Sequence, residues 1–312
     1  MSFSLSEINR RVRTDPKGFV AECEELYQRR IQNAADKILD NLKRSPIVLL
    51  AGPSGSGKTT TAMKIEEELL RRGVKSHAIA MDNYFNTITP ETMPRTPDGA
   101  YDYESPLCMD MDLLNAHFAA LAAHERIHVP KYDFPRQMRV MKPSKTLRLG
   151  SDEIAVFEGI HAPNDEITGK NPSAFKLYIS ARSNVMDDEG KLVFKGTWMR
   201  LARRTVRDNL YRGTNASATL QMWANVRRGE KLYINPYKDK ADLKLDTAFP
   251  YEVSLMKGVA SPIFETIHEG LERYDELQRI LPGFKRFEML DMNILPQDSL
   301  LREFVGDGIY SY

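Results

Sequence analysis

The chain has 312 residues, 42% hydrophobic and 28% charged, with a formal net charge of +1. That is enough material for a sizeable core, and near-neutrality excludes a chain-wide attraction for nucleic acid. Two cysteines, Cys23 and Cys108, exclude a disulfide framework and fit a reducing compartment. No run of 18 or more apolar residues exists and the first residues lack a hydrophobic signal core, so a cytoplasmic chain without a membrane segment is expected.

Residues 15–44 carry Phe19, Cys23, Leu26, Ile31, Ala34, Ile38 and Leu42 at three- and four-residue steps, which predicts a helix. Pro16 suits its first turn and Ser45-Pro46 ends it. Its expected role is packing, on the core or on another subunit. Ile47-Val48-Leu49-Leu50-Ala51 then reads as a strand buried on both faces, and residues 52–59 read Gly-Pro-Ser-Gly-Ser-Gly-Lys-Thr. This is a full match to the phosphate-binding loop, and the helical spacing of Ala62, Ile65, Leu69 and Leu70 up to Gly73 supplies the helix that must follow it. Gly52, Gly55 and Gly57 let the backbone curl around an anion where side chains would collide. Backbone N–H groups and the positive end of the helix then face phosphate. Lys58 is expected against the β- and γ-phosphates and the Thr59 hydroxyl on Mg²⁺. Ser54, Ser56 and Thr60 complete the expected cradle.

Beyond the loop, strands are expected at 76–81, 127–129, 154–157 and 175–179, with a helix over 107–123 and a loop rich in Pro, Gly and Asp over 92–105. Alternating strands and helices argue a mostly parallel sheet covered on both faces, with ligands beyond the carboxyl ends of the strands. Two acids stand at such ends, Asp82 and Glu158. A carboxylate there can hold Mg²⁺ or take a proton from an acceptor hydroxyl, and its ordinary alternatives are a turn cap and a loop charge. Arg200, Arg203, Arg204 and Arg207 form a helical stripe, in a stretch where residues 191–244 hold thirteen Lys/Arg against four Asp/Glu. That excess suits a lid over triphosphate, with Arg204, Arg207 and Arg212 as the phosphate contacts; a solvated basic helix and a nucleic-acid patch are the alternatives. Val185-Met186 and Leu192–Phe194 predict a small hairpin that enlarges the lid or meets another subunit. Helices are expected at 251–257 and 263–281, broken by Pro282-Gly283, before a wrapping tail.

Together the motifs resemble the uridine kinase / phosphoribulokinase family of phosphate-loop kinases, closest to its bacterial uridine kinase-like branch. The resemblance rests on the loop at 52–59, Asp82-Asn83-Tyr84-Phe85, Tyr101-Asp102-Tyr103-Glu104-Ser105-Pro106, Val129-Pro130-Lys131-Tyr132-Asp133-Phe134 and Phe157-Glu158-Gly159-Ile160. The run from Arg200 to Asp208, Arg212-Gly213 and Ala241-Asp242 continue it, and residues 299–304 also resemble that branch. It implies an α/β fold, a P-loop NTPase three-layer sandwich with a mostly parallel sheet, an Arg-rich lid and helical N- and C-terminal extensions. The corresponding division is an extension at 1–45, a core at 46–250 with a lid around 181–240, and an extension and tail at 251–312.

The resemblance further implies ATP and Mg²⁺, with Asp82 as general base on a sugar 5′-hydroxyl and Glu158 helping Thr59 to place the metal. Tyr132 and Phe134 match aromatic positions of a nucleoside pocket, which Tyr103 and Arg139 join. Glu104 stands where an Asp usually meets the ribose hydroxyls, Phe85 where a Tyr is common, and Gln137 where uridine-cytidine kinases carry a base-reading His. The expected partner is therefore a small-molecule hydroxyl substrate, a nucleoside first. A sugar phosphate, pantothenate or glycerate, or a nucleotide-dependent regulatory module, are the alternatives. No membrane or nucleic-acid partner is expected, and a homo-oligomer is implied by family analogy.

Overall fold

The structure is a computed structural model that describes residues 2–134, 136–271 and 273–311. A short strand β1 (Ser2–Ser4) leads into α1 (Leu5–Thr14) and the long α2 (Pro16–Leu42). Asp15 separates the two helices and caps the second, accepting the Gly18 N–H at 3.0 Å, while Pro16 occupies the first turn where no N–H is needed. The alternation follows as β2 (Ile47–Ala51), α3 (Lys58–Arg71), β3 (Ser76–Ala80), α4 (Met111–Ala122), β4 (Ile127–Asp133), β5 (Met138–Leu147), β6 (Ile154–Glu158), α5 (Asp165–Thr168) and β7 (Phe175–Ser180). Then come β8 (Asn184–Met186), β9 (Leu192–Phe194), α6 (Gly196–Tyr211), α7 (Ala216–Gly229), β10 (Leu243–Asp246), α8 (Glu252–Phe264), α9 (Tyr274–Lys285) and α10 (Arg302–Val305).

Five strands form one sheet in the order β10-β7-β2-β6-β3, and every neighbouring pair is parallel. The centre is β2, all five residues of which are buried. Its alternate side chains serve two cores, as a strand covered on both faces must. Val48 and Leu50 join the side packed by α2, α3, α6 and α8, whereas Ile47, Leu49 and Ala51 join Leu114 and Phe118 of α4. The first of these cores runs from Leu5 to Val305, so the terminal extensions share it with the sheet. Among the described residues no helix is long and apolar enough to cross a membrane.

Four local expectations are corrected. The helix expected over 107–123 starts only at Met111, because Pro106–Cys108 makes a separate 3-10 turn and Asp110 caps the helix through the Leu113 N–H. The strand at 127–129 extends to Asp133 and pairs antiparallel with β5, outside the main sheet. The outer strand β5 is mostly exposed and offers no apolar alternation to read. The helix break falls at 265–273 and not at Pro282-Gly283, so α8 contains Pro262 and α9 contains Pro282. Ile280 and Phe284 are buried on either side of that second proline, and Phe284 packs 4.8 Å from Phe194, so tertiary burial overrides the lost hydrogen bond. (Glu272, within the expected helix, lies outside the described residues.) The predicted hairpin exists as β8–β9, but β1 pairs with β8 to make a separate three-stranded sheet. It thereby belongs with the terminal extensions and does not enlarge a lid.

Candidate active site

The loop between β2 and α3 leaves the carboxyl end of the central strand, which β6 and β7 flank. Gly55 and Gly57 have φ of 72° and 79°, and a Cβ at either would lie 2.7 Å from the Arg200 carbonyl oxygen or from Leu300 Cδ1. Every carbonyl from Pro53 to Gly57 accepts a hydrogen bond from a side chain. Lys58 Nζ donates to Pro53 (3.5 Å), Arg200 to Ser54 (2.9 Å), Arg203 to Gly55 (3.3 Å), Thr247 to Ser56 (2.6 Å) and Thr61 to Gly57 (2.7 Å). Among the described residues no carbonyl accepts the N–H of Lys58 or Thr59. With its carbonyls tied back and donors left over, the loop is built for an anion. Thr60 differs from the expectation: it is fully buried, and its N–H and Oγ1 donate to the Glu303 carboxylate at 3.2 and 2.6 Å.

Three carboxyls gather at this edge. Glu158 ends β6, with Oε1 3.8 Å from Lys58 Nζ. Burial pushes its carboxyl up to about 7, against the pull of Lys58, while Asp82 and Glu303 add repulsion. Asp82 lies in the 3-10 turn Met81–Tyr84 that follows β3. Its side chain opens onto the cleft, yet the protein crowding around it raises its carboxyl above the ordinary range, opposed by Lys58 and Arg212. Glu104 is likewise raised to about 7 by burial, with Arg204 opposing and Glu230, Asp102 and Asp82 reinforcing. Asp102, two residues earlier, accepts the Tyr233 hydroxyl at 2.9 Å and pairs with Arg228 at 2.5 Å. The 92–105 loop is thereby fastened to the segment that follows α6.

The arginine stripe divides by depth. Arg200 and Arg203 have no exposed surface and pair with Glu230 and Glu252, so they brace the loop from inside the fold. Arg204 donates to Ser54 Oγ at 2.9 Å and lies 3.3 Å from Asp208, which also accepts from Arg207 at 2.7 Å. Arg212 keeps 61% of its side chain exposed at 3.8 Å from the same Asp208. One buried acid thus groups the three arginines singled out in the sequence.

A cavity of about 620 Å³ opens between the segment that follows Asp82 and the β4–β5 hairpin; among the described residues neither Asp82 nor Glu104 lines it. Phe85, Tyr103, Tyr132, Phe134 and Gln137 line it with Met93, Leu107 and Cys108. Phe85, Tyr132 and Phe134 meet edge to face at centroid distances of 5.1–6.4 Å. Among the described residues the buried Tyr132 hydroxyl has no hydrogen-bond partner. Gln137 takes a left-handed turn with φ 53° between β4 and β5. Arg139, expected in the pocket, is not among the lining residues; it is spent on Asp110 and the carbonyls of Tyr84 and Phe85 at 2.9–3.2 Å.

Residues 47–252, from the central strand to the start of α8, match the sequence profile of the phosphoribulokinase / uridine kinase family. The chain belongs to that family. Membership makes it a small-molecule phosphotransferase with a hydroxyl acceptor. It is 30% identical over 204 residues to a uridine kinase of Brevibacillus brevis, covering 64% of this chain and 84% of that one. Identity to a uridine kinase of Limosilactobacillus reuteri is 29% over 202 residues, 64% and 83% of the two chains. A Saccharomyces cerevisiae uridine kinase is 28% identical over 197 residues, and there the match spans only 36% of the relative. Among solved structures, a D-glycerate 3-kinase from Cryptococcus neoformans aligns over 90% of both chains at 16% identity and a TM-score of 0.32. That likeness carries no argument about substrate. The family segment omits Tyr27 and Glu303, both of which reach the first turn of α3. Sequence reading assigns both to packing segments, and only the phosphate-loop contact distinguishes them.

Proposed function

We propose that this kinase transfers the γ-phosphoryl group of ATP to the 5′-hydroxyl of a nucleoside, a pyrimidine nucleoside first. The observation that carries the reading is the cavity: aromatic, uncharged among its described lining residues, and walled by Phe85 and Tyr103, which lie three residues after Asp82 and next to Glu104 in the chain. A flat base can stack on such walls. An anionic acceptor such as glycerate or a sugar phosphate would enter without a countercharge, since Arg95, Lys131, Arg136 and Arg139 do not line the cavity.

The residues fit both a nucleotide and magnesium. The unaccepted Lys58 and Thr59 N–H groups, the tied-back carbonyls and the glycines that admit no Cβ suit a polyphosphate. Among the described residues no cluster of three or more His, Cys, Asp or Glu forms a ready-made metal cage. Thr59 and Glu158 would therefore hold Mg²⁺ together with phosphate oxygens, the usual arrangement for this ion. When bound, the ion neutralises charge that develops between the β- and γ-phosphates.

Asp82 takes the proton of the acceptor hydroxyl. Its raised carboxyl makes it a better base than an ordinary aspartate, and Lys58 and Arg212 favour its ionised form. Lys58 faces the transferred group, while Arg204, Arg207 and Arg212, gathered by Asp208, supply positive charge around it. Glu104 and the aromatic wall orient the acceptor, so most of the acceleration comes from positioning. The test is ADP release measured across nucleosides, glycerate, pantothenate and sugar phosphates. Strict dependence on a nucleoside is expected; a preference for an anionic acceptor, or hydrolysis without any acceptor, contradicts the reading.

A further inference from the structure

The N-terminus of α3 is capped from outside the family segment. Its N-cap residue is Gly57, which has no side chain to accept the N–H of the second or third helical residue. The third residue is Thr60, and Glu303 of α10 accepts both its N–H and its hydroxyl. A glycine is required at position 57 by its φ of 79°, so the cap must come from elsewhere.

The segment carrying Glu303 is held by more than its bonds to Thr60. Leu300, Leu301 and Phe304 are fully buried, and Leu300 lies over Gly57. Arg203, which holds the Gly55 carbonyl, sits 5.1 Å from the centroid of the Phe304 ring. Ser299 hydrogen-bonds Glu24 of α2, and Tyr27 of the same helix reaches Thr61 Oγ1 at 2.9 Å. Both terminal extensions therefore converge on the first turn of the phosphate-loop helix.

We propose that Glu303 is a positioning residue of the nucleotide site, an N-cap donated from a distant segment of the same chain that fixes the first turn of α3 so that the Lys58 and Thr59 N–H groups face phosphate. The role rests on the reading that this loop binds a nucleotide. Glu303 does not itself touch the nucleotide; it acts through Thr60, on the buried side of the helix. Because coupling is reciprocal, nucleotide that gains affinity from the docked tail must tighten tail docking by the same factor.

Calorimetry with MgADP on the full-length wild type, Glu303→Ala and Glu303→Gln tests this. Glu303→Ala should raise the MgADP Kd and the KM for ATP about tenfold, leaving the acceptor KM unchanged. Glu303→Gln, which keeps an acceptor oxygen, should stay within about threefold of wild type. A variant-free check is amide hydrogen exchange of residues 299–306, which should slow on saturating MgADP by more than α9 does. Exchange that is indifferent to nucleotide, or a folded Glu303→Ala that binds MgADP as wild type does or more tightly, overturns the assignment. Wild type that binds no MgADP overturns the nucleotide reading together with it, so the two failures are separable.

Discussion

The Lys58 ammonium stands 3.8 Å from the Glu158 carboxylate, linking the phosphate loop after β2 to the end of the adjacent strand β6. Glu158 ends β6 opposite Leu50 of β2, and Lys58 opens α3 after the loop that leaves β2, so strand register and loop together set the pair. Lys58→Ala should lower kcat/KM for MgATP by a factor of about 100 to 1,000, the cost of removing one preorganised charge stabiliser. Steady-state kinetics with an unchanged far-UV spectrum checks this; full activity would remove Lys58 from the phosphate site.

Asp82→Asn keeps size and removes the base. Turnover should fall by a factor of about 100 to 10,000, with MgADP affinity changed much less. Single-turnover kinetics at saturating ATP separates the two effects. A loss confined to nucleotide affinity would move Asp82 from proton transfer to phosphate binding.

Glu158 makes the stability of the nucleotide-free protein depend on pH in a definite direction. Its folded value of about 7 lies above the ordinary 4.5, so between those values the folded state holds a proton that the unfolded state has released. Its contribution is therefore present below about pH 4.5 and is lost as pH rises through about 7. Thermal melts of wild type should fall relative to Glu158→Gln between pH 5 and pH 8. A wild type that gains on the variant over that interval contradicts the assignment of a buried, raised carboxyl.

Tyr132 walls the cavity, and its hydroxyl is buried away from it. Tyr132→Ala should raise the acceptor KM about tenfold with the ATP KM unchanged, the worth of one aromatic contact, whereas Tyr132→Phe should leave both near wild type. An acceptor KM that Tyr132→Ala does not change would mean that the acceptor does not bind against this wall.

Arg203 and Glu252 are both buried, and removal of one partner leaves an uncompensated charge. Arg203→Met should destabilise the fold by about 3–5 kcal/mol, and Arg203→Met with Glu252→Leu should recover much of that loss. Urea unfolding checks the pair. Equal stability of Arg203→Met and wild type would return Arg203 to the surface stripe.

The phosphate loop, its strand and helix, Asp82 and Glu158 are legible in the sequence because local rules govern them: glycine torsions, strand burial and the position just after a strand. The arginine stripe shows why other features are not. Helical spacing groups Arg200, Arg203, Arg204 and Arg207, but only the distant partners Glu230 and Glu252 decide that two of them are internal braces. Pro282 misleads for the same reason, since buried Ile280 and Phe284 retain the helix around it. Arg139 reads as a pocket cation until Asp110 and two backbone carbonyls claim it. Glu303 lies more than two hundred residues from Thr60, and no periodicity connects them.

Phosphoryl transfer from ATP to a nucleoside hydroxyl can be followed by phosphorus NMR of the full-length protein with Mg²⁺, ATP and uridine. ADP and a nucleoside 5′-monophosphate should appear in equal amounts, with neither formed by Asp82→Asn at a comparable rate. ADP accompanied only by inorganic phosphate, or no ADP with any nucleoside supplied, would contradict that transfer.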